Sequence, residues 1–566
     1  MNILGVQIGH DSSAALIAEG RLVADVAEER FARVKHFTGL PTESVAYCLA
    51  AGGIRSDDLD VVAVSSSGGV PGLNHMFGLE GPRRERGSPR AEVLRRLNAA
   101  LGRKSEEIPP IYFKQFSLAP RCQVVHVEHH LAHAAAAYYS SQYQQKTLIV
   151  TCDGVGDGVS LCLWRGENGK ITPLEKFSSS GSIGWFYSNV TEALGWIHGD
   201  GEGTTMGLAP YGNYDKCQGV LSSFHPRYEG GRLVRAHDFG ISYCWNEKGA
   251  YEFHFEEARQ IKALVDRYGA EHIAAEAQRV LEEQLAQVIF PWMEKENTRS
   301  LCCGGGVFLN VKLNQRVWCS GKVDHHFVYP NAGDSGLAHG AALWVAHNQG
   351  GDIPVVEPLH LYYGPQYSDD EIQELLQARG IRFHVSDRVE EYVADALAAD
   401  RIVAWFQGRM ESGPRALGNR SILMSPAKSQ NKDIINGRVK FRQAFRPFCP
   451  SMLEDAAPDY LERHRSEPFM ITSFDVKSEK AGRIPAVVHK DQTLRPQTVN
   501  REINPRYWKL LDEVGKRTGD PVLLNTSFNI KGEPMICSPR EAIRGFFDSG
   551  IELLAMGNVI IEKGKT

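Results

Sequence analysis

The residues best suited to chemistry are densest in His126-Val127-Glu128-His129-His130-Leu131-Ala132-His133, where four histidines fall within eight residues ahead of an alanine run. Alanine favours helix, and residues four apart share a helical face, so His129 and His133, or His126 and His130, would point the same way. Either pair has the spacing of two ligands to one metal ion, and the sequence leaves the choice between them open. The plain alternative is a core or surface histidine cluster. Asp153 ends the strand-like Leu148–Cys152 and opens Asp153-Gly154-Val155-Gly156-Asp157-Gly158. It could complete a mixed nitrogen and oxygen site, which suits Fe(II), Mn or Zn better than a thiolate-loving ion. Asp334, in the similar turn Asn331-Ala332-Gly333-Asp334-Ser335-Gly336, is a candidate fourth ligand.

A second kind of chemistry is suggested by positive charge. Residues 403–450 hold nine Lys or Arg against two acids, a local excess of seven in a chain of net charge −5. Arginine forks set among Gly and Pro match phosphate better than a solvated lysine face would, so an anion pocket is expected there. Arg495 and Leu523-Leu524-Asn525-Thr526-Ser527 could add polar groups to it. Gly304-Gly305-Gly306, between a strand and a helix that would start near Asn310, could also let backbone N–H groups approach phosphate. For His10, in the turn Gly9-His10-Asp11-Ser12-Ser13, the plain alternative to a chemical role is a ring bonding local backbone.

These residues need elements to hold them. Ile3–Ile8 reads as a buried strand, Ala14–Ala18 as a second, and Glu19-Gly20-Arg21 as the turn into a third. The same grammar recurs about 145 residues later around Leu148–Cys152 and Val159–Trp164. That repetition predicts a duplicated α/β core with a ligand cleft between its halves. Helices are expected at Thr42–Ala51, Ala91–Leu101, Ile273–Phe290, Leu337–Val345, Val389–Ala398, and from a cap at Asp369/Asp370 to Ala378. Gly68–Arg90 and Ser178–Gly212 read as loops, and Asn348–Pro354 as a domain boundary.

A chain of 566 residues exceeds one ordinary core, so two or more domains are expected. No apolar run reaches membrane-spanning length and the N-terminus enters a strand pattern directly, which predicts a cytoplasmic protein. Eleven cysteines without a CxxC pair argue against a disulfide framework and a zinc cage.

Seven motifs in order carry a resemblance across nearly the whole length: Gly9-His10-Asp11-Ser12, Glu28-Glu29-Arg30-Phe31, His129-His130-Leu131-Ala132-His133-Ala134, Met206-Gly207-Leu208-Ala209-Pro210-Tyr211-Gly212, Gly413-Pro414-Arg415-Ala416-Leu417-Gly418, Phe445-Arg446-Pro447-Phe448 and Asn525-Thr526-Ser527-Phe528-Asn529. The chain resembles the NodU/CmcH carbamoyltransferases. The resemblance implies an actin-like (ASKHA) domain over 1–354 and a YrdC-like α/β domain over 355–566. It places the metal ligands on His129, His133, Asp153 and Asp334, the catalytic base on His10, and contacts to ATP and carbamoyl phosphate on Arg415, Lys440, Arg446, Arg495, Asn525 and Ser527. Thr204 departs from the Lys that relatives often carry in this loop. The implied reaction has two steps: carbamoyl phosphate and ATP, with Mg accompanying the nucleotide, give carbamoyl-adenylate, and a small-molecule hydroxyl acceptor then takes the carbamoyl group. Carbamoyl-adenylate is labile, so a water-poor path between domains is expected. The variable loops 68–117 and 213–262 would choose the acceptor.

Three other functions fit less well. Threonylcarbamoylation of tRNA would need an RNA-binding face, and outside 403–450 the chain shows no basic patch, so no nucleic-acid partner is expected. A non-catalytic, nucleotide-responsive actin-like protein would have little use for a metal cluster beside a second phosphate pocket. Hydrogenase-maturation carbamoyl transfer would bring zinc-finger cysteine pairs, which are absent.

Overall fold

The computed structural model describes residues 1–66, 73, 76–77, 116–234, 241–245, 251–349 and 359–564. The expected helix Ala91–Leu101, most of the loop Gly68–Arg90 and the boundary residues beyond 349 lie outside these. The loops 68–117 and 213–262, expected to choose the acceptor, are described only in part.

Two five-stranded sheets form the N-terminal part. The first contains β1 (Ile3–Gln7), β2 (Ser13–Ala18), β3 (Arg21–Ala27), β4 (Val61–Val64) and β5 (Gln123–His126) in the order β3-β2-β1-β4-β5. The second contains β6 (Thr147–Gly156), β7 (Val159–Glu167), β8 (Lys170–Ser178), β9 (Ser300–Gly304) and β10 (His325–Val328) in the order β8-β7-β6-β9-β10. In each, the leading strand pairs antiparallel with its hairpin partner and parallel with the strand arriving by crossover. Order and sense match throughout, which is the duplicated actin-like arrangement. β1 is buried at every residue, as expected of a strand covered on both faces.

The sheets are joined by two helices built from small residues. Helix Leu337–Asn348 lies on β1 so closely that a Cβ at Gly5 would fall 1.9 Å from the Ala338 carbonyl oxygen. Its neighbour, helix His129–Ser141, approaches equally closely: a Cβ at Gly340 would meet the Ala132 carbonyl oxygen at 1.9 Å. The alanine run therefore serves packing, and it fixes the helix starts that carry His129 and Asp334.

The C-terminal part is built on one mixed eight-stranded sheet. Its core includes Val403–Phe406, Arg420–Met424, Val522–Ser527 and Cys449–Leu453. Successive side chains of a strand face opposite ways, so Ala404 and Phe406 enter one apolar cluster with Phe448 and Phe528. Val403 and Trp405 enter another with Tyr507 and Leu523.

Bonds between the two parts lie on two flanks. On one, Arg30 donates to the Gly413 carbonyl (2.7 Å), Arg33 to Pro534 and Met535 (2.8 Å each), Arg409 to Val23 (2.7 Å), and Ser412 Oγ to Asp25 Oδ2 (2.6 Å). On the other, Asn314 donates to the Ile471 carbonyl (2.7 Å), Arg465 donates to that of His326 (3.0 Å), and Lys312 pairs with Asp491 (2.8 Å).

Three expectations need correction. The helix read as Ile273–Phe290 runs over Ala270–Glu296, through Pro291, because Trp292 and Met293 beyond the proline dock into the core. Ser178–Gly212 contains helices Ile183–Ala193 and Glu202–Leu208. Ser182 caps the first by accepting from Trp185 N, and Ile183, Phe186, Tyr187 and Val190 bury one face of it, a period masked by the surrounding glycines. The cap at 368–371 is Ser368, in a capping box with Glu371; Asp369 and Asp370 form the first turn.

Candidate active site

His129, His133, Asp153 and Asp334 each offer a ligand-type atom, and these atoms lie within 4.8 Å of one another. Two helix starts and the end of β6 bring them together. His133 Nε2 is 3.2 Å from Asp153 Oδ2 and 3.7 Å from Asp334 Oδ1, and His129 Nε2 is 3.7 Å from Asp334 Oδ1. Both Nε2 atoms are buried, yet neither makes a hydrogen bond of acceptable geometry. Two buried imidazole nitrogens without hydrogen bonds, converging with two carboxylates, are what a divalent ion needs, so the residues fit the group. The backbone helps: Gly154 N (2.8 Å) and Gly306 N (3.1 Å) donate to the Asp153 carboxylate. Burial opposes charge on Asp153, but the two imidazoles outweigh it and hold the carboxyl well below the usual range. Burial likewise works against the His133 cation, and the carboxylates overcome this, raising it to about 9. A field that stabilises a proton there also attracts a metal cation. The other pair is occupied elsewhere: His126 Nδ1 lies 3.1 Å from the Ser66 carbonyl, and His130 bridges Thr151 Oγ1 and the Val159 carbonyl.

The glycines of this region do two jobs. A Cβ at Gly156 would stand 2.1 Å from His129 Cδ2, so only glycine lets that ring lie flat against β6. Gly305 has φ +94, and a Cβ there would meet the Cys152 carbonyl oxygen at 2.2 Å, while one at Gly304 would meet that of His133 at 2.9 Å. These two glycines permit close backbone packing, whereas Gly306 and Asn310 line the cavity below. Asn310 caps the helix Val311–Trp318 through Leu313 N and bonds Gln278, which occupies its amide.

The basic stretch divides. Arg420 is buried and donates to the carbonyls of Gln407, Gly408, Asn419 and Pro365; Arg409 donates to Val23 and Tyr363; Lys428 pairs with Asp400; Arg438 is exposed. Arg415, Lys440, Arg442 and Arg446 converge with Arg495 instead. Among the described residues none of these five has a carboxylate within ion-pair distance. Arg495 Nε reaches only Cys449 Sγ (2.9 Å), and Lys440 Nζ donates to the Ser527 carbonyl and Asn529 Oδ1 (2.6 Å each). Burial, followed by the neighbouring arginines, lowers Arg415, Lys440 and Arg442 from their ordinary values. Cations without carboxylate partners under that strain are chemically suited to an anion. Asn525 is buried with its amide nitrogen bonded to Ala416 and Ser451 and its oxygen unbonded. Arg442 was missed as a site residue, although the local charge excess included it.

His10 stands with Asp11 and His36, which sequence reasoning also missed. Its side chain is 53% exposed and faces the cavity, with Nδ1 3.1 Å from Asp11 Oδ2. His36 Nδ1 is 2.9 Å from Asp11 Oδ1. One carboxylate oxygen is bonded to His36 and the other stands at ion-pair distance from His10, so this trio reads as an ion-pair cluster. Nearby, Lys35 pairs with Asp200.

One cavity of about 1190 Å³ is lined by His10, Asp153 and Asp334 at one side and by Arg415, Lys440, Arg442, Arg446, Arg495, Asn525 and Ser527 at the other. The loop bearing Arg415 touches the turn bearing Asp334: a Cβ at Gly413 would be 3.2 Å from Asn331 Cβ.

Family models described as carbamoyltransferase N-terminus and C-terminus match residues 2–343 and 394–563. The chain belongs to the carbamoyltransferase family. This carbamoyltransferase is 33% identical to an uncharacterized protein of Synechocystis, covering 99% of this chain and 97% of the relative. It is 34% identical to the nodulation protein NolNO of Sinorhizobium fredii, covering 98% and 79%. Among solved structures, the activator of 2-hydroxyisocaproyl-CoA dehydratase from Clostridium difficile with bound ADPNP aligns over 62% of this chain and 95% of its own, at 12% identity and a TM-score of 0.32. The protein is therefore an enzyme that handles a carbamoyl group. Among the described residues of the carbamoyltransferase, no helix is long and apolar enough to cross a membrane.

Proposed function

We propose that this enzyme is an ATP-dependent O-carbamoyltransferase working in two steps within one cavity. The observation that carries the reading is the set of five cations without carboxylate partners, sharing a single cavity with His10 and the His/Asp cluster. At about 1190 Å³ the space exceeds an ordinary small-ligand pocket and suits a nucleotide together with a second substrate.

At the cation side, in a YrdC-like domain taken as 355–566, Arg415, Lys440, Arg446 and Arg495 would hold the phosphates of ATP and carbamoyl phosphate, with Asn525 and Ser527 orienting them. Atom balance requires carbamoyl phosphate to lose orthophosphate to water, so that the carbamate oxygen attacks the α-phosphorus of ATP and pyrophosphate leaves. At the other side, in the actin-like domain taken as 1–354, the acceptor hydroxyl would attack the carbamoyl carbon while His10 takes its proton and AMP departs with the bonding electrons. A divalent ion, Fe(II) foremost with Mn or Zn as alternatives, would be held by His129, His133, Asp153 and Asp334 and would supply positive charge beside the adenylate phosphate. The acceptor would be a hydroxyl of a natural product.

The test is pyrophosphate release from ATP. It should require carbamoyl phosphate and be indifferent to threonine and tRNA. Arg415→Ala should depress it by on the order of 10²–10³-fold, the usual loss when a preorganised charge contact is removed. Release driven by threonine, or normal release in Arg415→Ala with the fold intact, would overturn the reading.

A further inference from the structure

The turn that carries His10 is built with unusual backbone. Asp11 has φ +51 and His36 φ +53, left-handed values that cost free energy for residues other than glycine and persist where surrounding structure imposes them. Here the imposition is visible. Gly9 and Gly39 exchange N–H to carbonyl bonds (3.2 and 3.1 Å), Ser12 N donates to the Phe37 carbonyl (3.2 Å), and His36 N donates to Glu29 Oε2 (2.9 Å). The two imidazoles stack with centroids 5.6 Å apart and planes 12° from parallel; the Asp11 carboxylate is bonded to His36 Nδ1 and stands 3.1 Å from His10 Nδ1. His36 Nε2 lies 3.7 Å from Asp200 Oδ1 on its far side. His10 instead lines the cavity, with Gly199 beside its Nε2.

We propose that Asp11 is the positioning residue for the base: by accepting Nδ1–H from His10 it leaves Nε2 unprotonated and turned to the cavity, while His36 supplies the cation that offsets the Asp11 charge. The inference rests on His10 being the base of the transfer step. Without His36, Asp11 would favour a proton on both His10 nitrogens and a base would be lost. A parallel imidazolium opposes that second charge, so the two rings share one carboxylate but divide the roles. Asp11 and, more weakly, Asp334 favour a proton on His10 and raise it above its ordinary value, while burial and then His36 oppose that charge; the groups facing His36 include Asp11, Asp200 and Glu29. In the transfer the acceptor O–H proton goes to His10 Nε2, the oxygen–carbon bond forms, the bond from carbamoyl carbon to phosphate oxygen breaks with its electrons leaving on AMP, and the Nε2 proton passes to solvent.

The experiment is ¹⁵N-histidine NMR on the full-length protein, with any bound ion exchanged for diamagnetic Zn²⁺. Resonances are assigned by their disappearance in His10→Asn and His36→Gln. Wild type should show His10 as the Nδ1–H tautomer. Asp11→Asn, in which asparagine tolerates the left-handed backbone, should return His10 to the Nε2–H form that free imidazole prefers. It should also slow AMP release from enzyme charged with ATP and carbamoyl phosphate, water serving as probe nucleophile, by on the order of 10²-fold or more while pyrophosphate release persists. An Nε2–H tautomer in wild type, an unchanged tautomer in Asp11→Asn, or unchanged AMP release in that variant would each overturn the proposal. Wild-type AMP release in His10→Asn would instead remove the base assignment on which it rests.

Discussion

His133 and His126 carry the same imidazole seven residues apart, and their surroundings give them different duties. His133 Nε2 is buried against two carboxylates, whereas His126 is exposed and bonded to a carbonyl. His133→Ala should lower metal content on elemental analysis and His126→Ala should not; equal loss in both, or none in either, contradicts a four-ligand site. His36 lends itself to a different measurement. Burial opposes its charge, but the carboxylates of Asp11 and Asp200 prevail and raise it to about 10, against roughly 6.5 in the unfolded chain. Its stabilisation is therefore complete below about pH 6.5 and fades as pH climbs towards 10. Melting temperatures of wild type and His36→Gln should differ most at pH 6 and converge near pH 10. A gap constant across that range would show that the imidazolium contributes nothing.

At the scale of elements, the metal cluster depends on how closely a helix start can approach a strand. Gly156→Ala would place a methyl 2.1 Å from His129 Cδ2, so the ring must swing away. Metal content should fall although every ligand is present, and full retention would mean that β6 yields instead. Much of this framework is legible in the sequence. Thr42–Gly52 and Val389–Ala398 form where helix-forming residues run together, and the strand–turn–hairpin grammar of β1–β3 and β6–β8 does reflect two sheets of one topology. What stays hidden is tertiary. Arg409, Arg415 and Arg420 share a motif-rich stretch, but only contact with carbonyls or with the cavity distinguishes a structural arginine from a site arginine. His36 lies 25 residues from Asp11 and joins it through the Gly9–Gly39 bridge, which leaves no periodic trace.

On the scale of the whole molecule, bonds on two flanks of the cavity tie the N-terminal and C-terminal parts together, several of them charge-assisted and at least partly buried. Such contacts resist separate unfolding, since opening the interface would break the bonds that buried Arg30 and Asp25 make to Gly413 and Ser412. Calorimetry should therefore show one unfolding transition shared by both parts; two resolved transitions would mean that the flanks bind weakly.

The contact of Asp25 and Arg30 with Ser412 and Gly413 also bears on exchange of parts between relatives. The loop that aims Arg415 takes its shape from side chains of the other half, with the Arg30 guanidinium on the Gly413 carbonyl and the Asp25 carboxylate on the Ser412 hydroxyl. A chimaera that borrows only the C-terminal half imports Arg415 without the residues that mould its loop. For hybrid enzymes, the transplantable unit is thus set by matched positions 25, 30, 412 and 413, and a splice at the chain's apparent domain boundary would cut across it.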